Sequence, residues 1–414
     1  MSDRRTPTMN RPAHKPRATP LRVGRRRRAP GAEGRKQRGK VVLALAAVFA
    51  IVFVTAVAFV VYKFVNRVEP NPDFAAGEAG PSTVVQVQPG ETATDISAAM
   101  FDQGVVASPA AFYEAAVADA RMNQLQPGYY EVSTHVPAEE AVSGLVDPSS
   151  RVGALTLSEG RQLHDTRDVN TGATKEGIYT KIAAASCLGA GAEQRCISYD
   201  DLNAAGANTD LAALCVPAWA ADGVRAVPDR DRQLEGLIAA GSLDFDPTKS
   251  PTEILCQLVS DSAAKYEATG LLSAGGTLSP YQMLIAASLV ERESLPQDFD
   301  KVARVILNRL AVGQPLQFDS TVNYALDETE VATTDADRAT PTPWNTYAMA
   351  GLPATPIASP SIAALEAVEN PADGPWLYFV TVDQQGTTLF TDDYDEHLRN
   401  IEQAMQSGIL DSGR

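Results

Sequence analysis

Glu291, Arg292 and Glu293 close the run LIAASLVERES, in which Leu284 to Val290 carries no charge. On a helix, Leu284, Ala287, Ser288 and Glu291 fall at i, i+3, i+4 and i+7, so Glu291 shares their face. Glu293 points well away from it, and Arg292 lies between. A carboxylate leaving an apolar stripe at a helix end is partly desolvated, the setting a general acid needs near neutral pH. The stripe therefore nominates Glu291 as an acid or base. The plainer reading is that Glu291 merely ends the stripe and pairs with an arginine.

The helix that must position these charges has clear limits. Ser279-Pro280-Tyr281-Gln282 is an S-x-x-Q capping box with proline at the first helical position, and Leu295-Pro296 stops the helix. A second helix follows through Phe299, Val302, Val305, Ile306 and Leu310, with Gly313 as its stop. Then LQFDSTVNYAL supplies Gln317, Asp319, Ser320, Thr321, Asn323 and Tyr324. Polar side chains mixed with aromatic rings suit a sugar-binding cleft, where rings stack on pyranose faces and amides or carboxylates bond hydroxyls. The stretch PWNTYAMAGLPATPIASPS is too proline-rich for a linker, and it reads as a binding loop presenting Trp344, Asn345 and Tyr347. Taken singly, each of these residues could be turn or surface packing.

Other chemistries find less support. The four histidines (His14, His135, His164, His397) are scattered without an H-E-x-x-H, so no metal is expected. There is no G-x-S-x-G, Walker loop or G-x-G-x-x-G, and no cofactor is expected.

The net charge of −16 conceals two opposite parts. Residues 1–40 hold 14 Lys/Arg against two Asp/Glu, and the remainder holds 21 basic against 49 acidic residues. Val41 to Tyr62 is free of charge, and as a helix it would span about 33 Å against a bilayer core of about 30 Å. The basic block before it places the N-terminus in the cytoplasm and the rest outside, anchored in the plasma membrane. The acidic bulk argues against a nucleic-acid partner.

Cys187, Cys196, Cys215 and Cys256 fit an extracytoplasmic chain with one or two disulfides. Three connectivities are open. Cys187–Cys196 with Cys215–Cys256 is favoured because the short first loop crosses nothing.

The expected class is α+β: a basic disordered tail (1–40), a transmembrane helix (41–62), a linker (63–81), a small strand-and-helix module (82–153), a cysteine-bearing connecting part (154–270) and a catalytic core (271–414). Strand–turn–helix patterns start at TVVQVQPGETATDISAAMF, with a helix through Ile96, Met100 and Phe101. They recur at YYEVSTHVPAEEAVSGLV and at ALTLSEGRQLHDTRDV, where a helix could follow Gly160.

The motifs LIAASLVERES, VARVILNRL, LQFDSTVNYAL, NTYAMAGLPATPIASPSIAALEAVENP and WLYFVT, in this order, resemble the YceG-like endolytic murein transglycosylases over roughly Leu284 to Asn400. VQVQPGETATDISAAMF and LQPGYYEV resemble the family's LysM-like part. The resemblance implies a membrane-anchored lytic transglycosylase acting on the glycan strands of nascent peptidoglycan, with cell-wall synthases (penicillin-binding proteins) as partners. It places the catalytic glutamate of SLVERE at Glu291. It carries cleft positions onto Gln317, Asp319, Thr321, Asn345, Thr346 and Tyr347, and matches His397 without giving it a role. One departure stands out: many members have LEGYLFPDTY where this chain reads LEGLIAAGSLDF. In such an enzyme one carboxyl suffices, protonating the glycosidic oxygen and then taking the proton of the muramic C6 hydroxyl as a 1,6-anhydro ring closes. Asp319 would stabilise the cationic transition state or orient the sugar. The competing readings are a non-catalytic peptidoglycan-binding protein and an anchored sensor with the basic tail as its output.

Overall fold

A computed structural model describes residues 34–65, 71–169, 171–208, 210–329 and 333–409. The first 33 residues of the basic tail and residues 66–70 of the linker lie outside the described residues.

Helix α1 (Gly34–Val65) contains an 18-residue stretch, Ala46–Lys63, with mean hydropathy 2.3 and no part of it covered by the chain. Within it the Thr55 hydroxyl bonds back to the Ile51 carbonyl at 2.8 Å, and the other polar side chains, Tyr62 and Lys63, stand at its end. By length and composition it can cross a membrane.

From Asn71 onward the chain forms a second compact unit, with two hydrophobic clusters. The first belongs to β1 (Ser82–Val87), α2 (Ala93–Asp102), α3 (Pro109–Ala118), β2 (Gly128–Ser133), α4 (Ala138–Leu145) and β3 (Arg151–Val152), whose strands form one antiparallel sheet in the order β1-β2-β3. Thr92 and Asp95 form a capping box on α2, and Ser108 caps α3. Val85, Met100, Phe112, Tyr130 and Leu145 meet in the core, where each large apolar side chain stabilises by roughly 1.5–3 kcal/mol. Ile96 and Met100 face inward as the periodicity predicts, but Phe101 is exposed.

The connecting part holds β4 (Ala154–Leu157), β5 (Thr166–Asp168), β6 (Thr174–Lys175), α5 (Ile178–Ala185), α6 (Tyr199–Asn208), α7 (Ala218–Ala226), β7 (Gly241–Asp244) and α8 (Pro251–Glu267). No helix follows Gly160. Instead Arg161 bridges to Ser359 and the chain continues into β5, because its backbone groups find partners in the proline-rich loop. Disulfides join Cys187 to Cys196 and Cys215 to Cys256. The latter fixes α8 to the segment before α7.

Helix α9 (Pro280–Glu293) is the axis of the larger core. Its Ser279/Gln282 capping box forms and the helix ends before Leu295-Pro296. Every residue from Met283 to Val290 is buried, so the helix is enclosed on all sides rather than along one stripe. Around it pack α10 (Phe299–Val312) and α11 (Asp319–Leu326), and further on α13 (Ile362–Glu369); α7 touches it as well. The short β8 (Glu328–Thr329) runs parallel to β5, and α12 (Asp335–Ala339) precedes the proline-rich loop. The chain closes with the hairpin β9 (Tyr378–Thr381) and β10 (Thr388–Thr391), then α14 (Tyr394–Ser407).

Candidate active site

The two glutamates at the end of α9 have different surroundings. Glu291 Oε2 accepts the backbone N–H of Ser361 at 3.0 Å, and Ser361 is the N-cap of α13. One turn earlier, Ser288 Oγ accepts the N–H of Ile357 at 3.0 Å while donating to Ile285 O. The polar members of the predicted stripe thus stitch α9 to the proline-rich loop and to the start of α13. A carboxylate at a helix N-terminus also meets the favourable end of its dipole.

Glu293 leaves the same helix toward the first turn of α11. Burial pushes its carboxyl up to about 6, and the Asp319 carboxylate adds to the push. The Ser320 hydroxyl and N–H and the Arg292 guanidinium act in the opposite direction without overcoming it. Ser320 Oγ is itself buried without a hydrogen-bond partner of good geometry among the described residues. A protonatable carboxyl therefore stands beside the Ser320 hydroxyl and the Asp319 carboxylate.

That anion is firmly held. Arg338 clamps Asp319 through Nε and Nη2 at 3.0 and 2.9 Å, Thr333 donates to it at 2.7 Å, and the Tyr347 hydroxyl donates at 2.9 Å. The Arg338 guanidinium also lies over the Tyr347 ring, 5.1 Å from its centre. Burial and the neighbouring Asp319 charge push the Tyr347 hydroxyl well up, so it remains a donor.

The start of α11 is placed from several directions. Arg309 on α10 donates to the carbonyls of Leu377, Pro315 and Leu316, fixing the approach to Gln317. Gln317 takes a left-handed backbone (φ 57°) and is exposed, with its N–H on Thr346 O at 3.1 Å. At the far end of α11, Arg232 donates to Tyr324 O and to Asp327, and the Tyr324 hydroxyl reaches Glu235 at 3.1 Å.

The structure divides the six predicted cleft residues. Asp319 and Tyr347 come together beside Glu293, and Gln317 is exposed nearby in the chain. Thr321, Asn345 and Thr346 are fully buried and serve the chain itself. Thr321 Oγ1 bonds Phe318 O and meets Thr346 Oγ1 at 3.0 Å, and Thr346 Oγ1 accepts the Phe318 N–H. Asn345 Nδ2 donates to the carbonyls of Asp337, Arg338 and Thr340. Trp344 is buried too, its ring N–H on Thr355 at 2.8 Å. His397 stacks on Tyr378 with ring centres 5.0 Å apart. Sequence reasoning passed over Glu293, Ser320's role beside it, and Arg338. An acidic residue after the stripe, two positions beyond Glu291, was the available signal.

A model of the YceG-like family matches residues 85–403, a stretch that contains this whole arrangement. The chain belongs to the YceG-like family. This YceG-like chain is 31% identical over 176 residues to an endolytic murein transglycosylase of Bacillus subtilis (strain 168), covering 42% of this chain and 49% of the relative. It is also 31% identical over 142 residues to an endolytic murein transglycosylase of Streptococcus pneumoniae serotype 2, covering 32% of this chain and 25% of that one. The chain thus spans about half the length of the first relative and a quarter of the second. A crystal structure of a yceG-like protein from Listeria monocytogenes aligns with a TM-score of 0.45 at 24% identity, over 77% of this chain and 99% of that one.

Proposed function

We propose that this chain is an endolytic transglycosylase of peptidoglycan glycan strands, anchored through α1, with Glu293 as its acid and base. The observation that carries the reading is the desolvated Glu293 carboxyl beside Ser320 and the Asp319–Tyr347–Arg338 cluster. The relatives' names support the substrate class.

Glu293 starts protonated and gives its proton to the glycosidic oxygen as the C1–O bond of the muramic sugar breaks. The Asp319 charge favours the positive charge that develops at C1. The C6 hydroxyl then bonds to C1 and its proton returns to the Glu293 carboxylate. Atoms balance without water: one strand leaves with a free 4-hydroxyl, the other with a 1,6-anhydro end. Tyr347 and Ser320 supply hydrogen bonds at the reacting sugar. Glu291, engaged by Ser361, positions the proline-rich loop, whereas the apolar stripe had nominated it as the acid. The module of β1, α2, α3 and β2 is the LysM-like part in this reading, holding the strand near the membrane.

The test is digestion of uncrosslinked glycan strands by the full chain in detergent micelles, with products read by mass spectrometry. Anhydro-muramic ends that vanish with Glu293→Gln and persist with Glu291→Gln support the assignment. Loss confined to Glu291→Gln returns the role to that residue. Reducing ends would make the protein a hydrolase, and binding without cleavage by the unsubstituted chain would make it a peptidoglycan-binding protein.

A further inference from the structure

Tyr378, Tyr394 and His397 meet where the β9–β10 hairpin receives α14. The Tyr378 and His397 rings stack with centres 5.0 Å apart, and Tyr394 is tilted against them at 5.4 and 6.4 Å. The proposed mechanism uses none of these rings. Tyr378 has little free face, because His397 stacks on it and the Arg309 guanidinium also lies over it, 5.3 Å from its centre. Tyr394 differs: it is 56% exposed, although it is the first residue of a well-anchored helix. Asp393 caps that helix by accepting the Glu396 N–H at 2.7 Å. Thr391 ties the cap to β10, donating to the Glu396 carboxylate at 2.6 Å and accepting the Asp393 N–H at 3.1 Å. An aromatic ring is thus held in a fixed place at the surface rather than folded into the core.

Polar groups without partners surround that ring. Neither tyrosine hydroxyl makes a hydrogen bond among the described residues, and neither is buried. His397 Nδ1 is buried and unpaired, whereas Nε2 is open. Burial and the Arg309 charge push the imidazole down, so it is neutral at neutral pH. A buried N–H without an acceptor is costly, so its one proton sits on Nε2, where solvent or a ligand can accept it. Asp392 and Asp395, exposed on either side of Tyr394 in the chain, add carboxylates that accept hydrogen bonds and repel anions. The group adjoins the proposed active site through Arg309, which holds the carbonyls of Leu377, beside Tyr378, and of Leu316, before Gln317 and Asp319. The Tyr378 and Tyr347 hydroxyls and the Glu293 carboxylate all act on the ionisation of that same guanidinium.

We infer that Tyr394, with the Tyr378 hydroxyl and His397 Nε2, forms a saccharide subsite that holds a neutral sugar ring of the glycan strand away from the bond being cut, on the Arg309 side of Glu293. The inference rests on the transglycosylase reading for its substrate. A pyranose meets every feature of the group: its C–H face lies on the Tyr394 ring, and its hydroxyls pair with the tyrosine oxygens, the imidazole N–H and the carboxylates. An aliphatic ligand would leave those polar groups unmet, and an anionic one would face Asp392 and Asp395. Such a subsite makes the enzyme favour long strands, since only these reach Tyr394 while a glycosidic bond lies at Glu293.

The experiment compares the full chain with Tyr394→Ala, Tyr394→Leu and Tyr394→Trp in detergent micelles, on uncrosslinked glycan strands of graded length, reading both cleavage and equilibrium binding. Tyr394 is largely exposed and its side chain makes no hydrogen bond among the described residues, so these variants keep the fold, and equal unfolding midpoints check it. With the subsite, Tyr394→Ala raises KM and Kd on long strands by about three- to tenfold, leaves kcat within about twofold, and has no effect on the shortest strands cleaved. Tyr394→Leu, which keeps apolar area without a ring, behaves as the alanine variant does, and Tyr394→Trp retains tight binding. Equal KM and Kd for all the proteins at every length would overturn the subsite and leave the transglycosylase reading standing. A Tyr394→Leu variant indistinguishable from the unsubstituted chain would overturn it as well. No cleavage by the unsubstituted chain would overturn the transglycosylase reading. Binding of long strands that Tyr394→Ala weakens would in that case still support the subsite, and binding that it leaves unchanged would overturn both.

Discussion

Tyr347, in the proline-rich loop, donates its hydroxyl to Asp319 of α11 at 2.9 Å. The bond joins two elements that are separate in sequence, and Arg338 closes over both partners. Asp319 is thereby held close enough to Glu293 for its charge to help raise that carboxyl. A general acid is most effective when its ionisation lies near the working pH.

This arrangement sets the pH profile. In the proposed mechanism Glu293 starts protonated, so kcat/KM should decline as pH rises through about 6. Asp319→Asn removes the negative charge and leaves Arg338 uncompensated, and both changes favour the Glu293 carboxylate. The midpoint should move down by about one unit, lowering activity at neutral pH roughly tenfold. Anhydro-end formation followed from pH 4.5 to 8 would measure it, and an unmoved midpoint in the variant would show that Asp319 does not tune the acid.

The same burial has a cost in stability. A carboxyl raised from an ordinary 4.5 to about 6 binds its proton more tightly in the folded state. The penalty is therefore absent below pH 4.5, grows between the two values and is full above 6, amounting to about 2 kcal/mol. Glu293→Gln should be more stable than the unsubstituted chain at pH 7.5 by up to this amount and equal to it at pH 4. Denaturant unfolding at the two pH values decides this, and a pH-independent difference would mean that the carboxyl is not desolvated.

Glu235 carries a related penalty for a different purpose. It is wholly buried, accepts from Leu163 N–H at 3.2 Å and from the Tyr324 hydroxyl at 3.1 Å, and burial pushes it up to about 7. It fastens the far end of α11 to the connecting part. Glu235→Gln keeps an acceptor oxygen without the charge and should gain stability above pH 7, where the carboxylate form is otherwise forced. Glu235→Ala strands two buried donors and should lose about 2–5 kcal/mol. Equal thermal stability of the two variants at pH 8 would refute the fastening role.

Much of this scaffold was legible because its signals are local. The capping box at Ser279/Gln282 and the left-handed stop at Gly313 sit where the spacing predicts them. The choice between Glu291 and Glu293 was not legible. A stripe identifies the inward face only when another face is solvated, and α9 is buried all round. What separates the two glutamates is Ser361 on one side and the Asp319 cluster on the other, both set by tertiary packing. Thr321, Asn345 and Thr346 illustrate the same limit, since a polar type in a motif does not reveal whether it faces substrate or backbone. Gly236, common to LEGLIAAGSLDF and LEGYLFPDTY, keeps φ 74° with Pro356 Cβ 2.4 Å from where its own Cβ would stand, and nothing in the structure explains the departure after it.

The two disulfides should contribute unequally. Cys187–Cys196 closes a separation of nine residues and Cys215–Cys256 one of 41. In the chain-entropy account, the constraint on the unfolded state is then about 2.5 kcal/mol for the first and about 4 kcal/mol for the second. The second also ties α8 to the segment preceding α7, which packs on α9, so its loss loosens the frame behind Glu293. The double variant Cys215→Ser/Cys256→Ser should therefore unfold at lower denaturant than Cys187→Ser/Cys196→Ser and lose more activity at elevated temperature. The shorter loop has one further contact: Gly189 N–H, inside it, donates to the Glu131 carboxylate of β2 at 3.0 Å. Opening it should raise hydrogen exchange at β2 and leave the α9 end protected, a pattern opposite to that of the longer bridge.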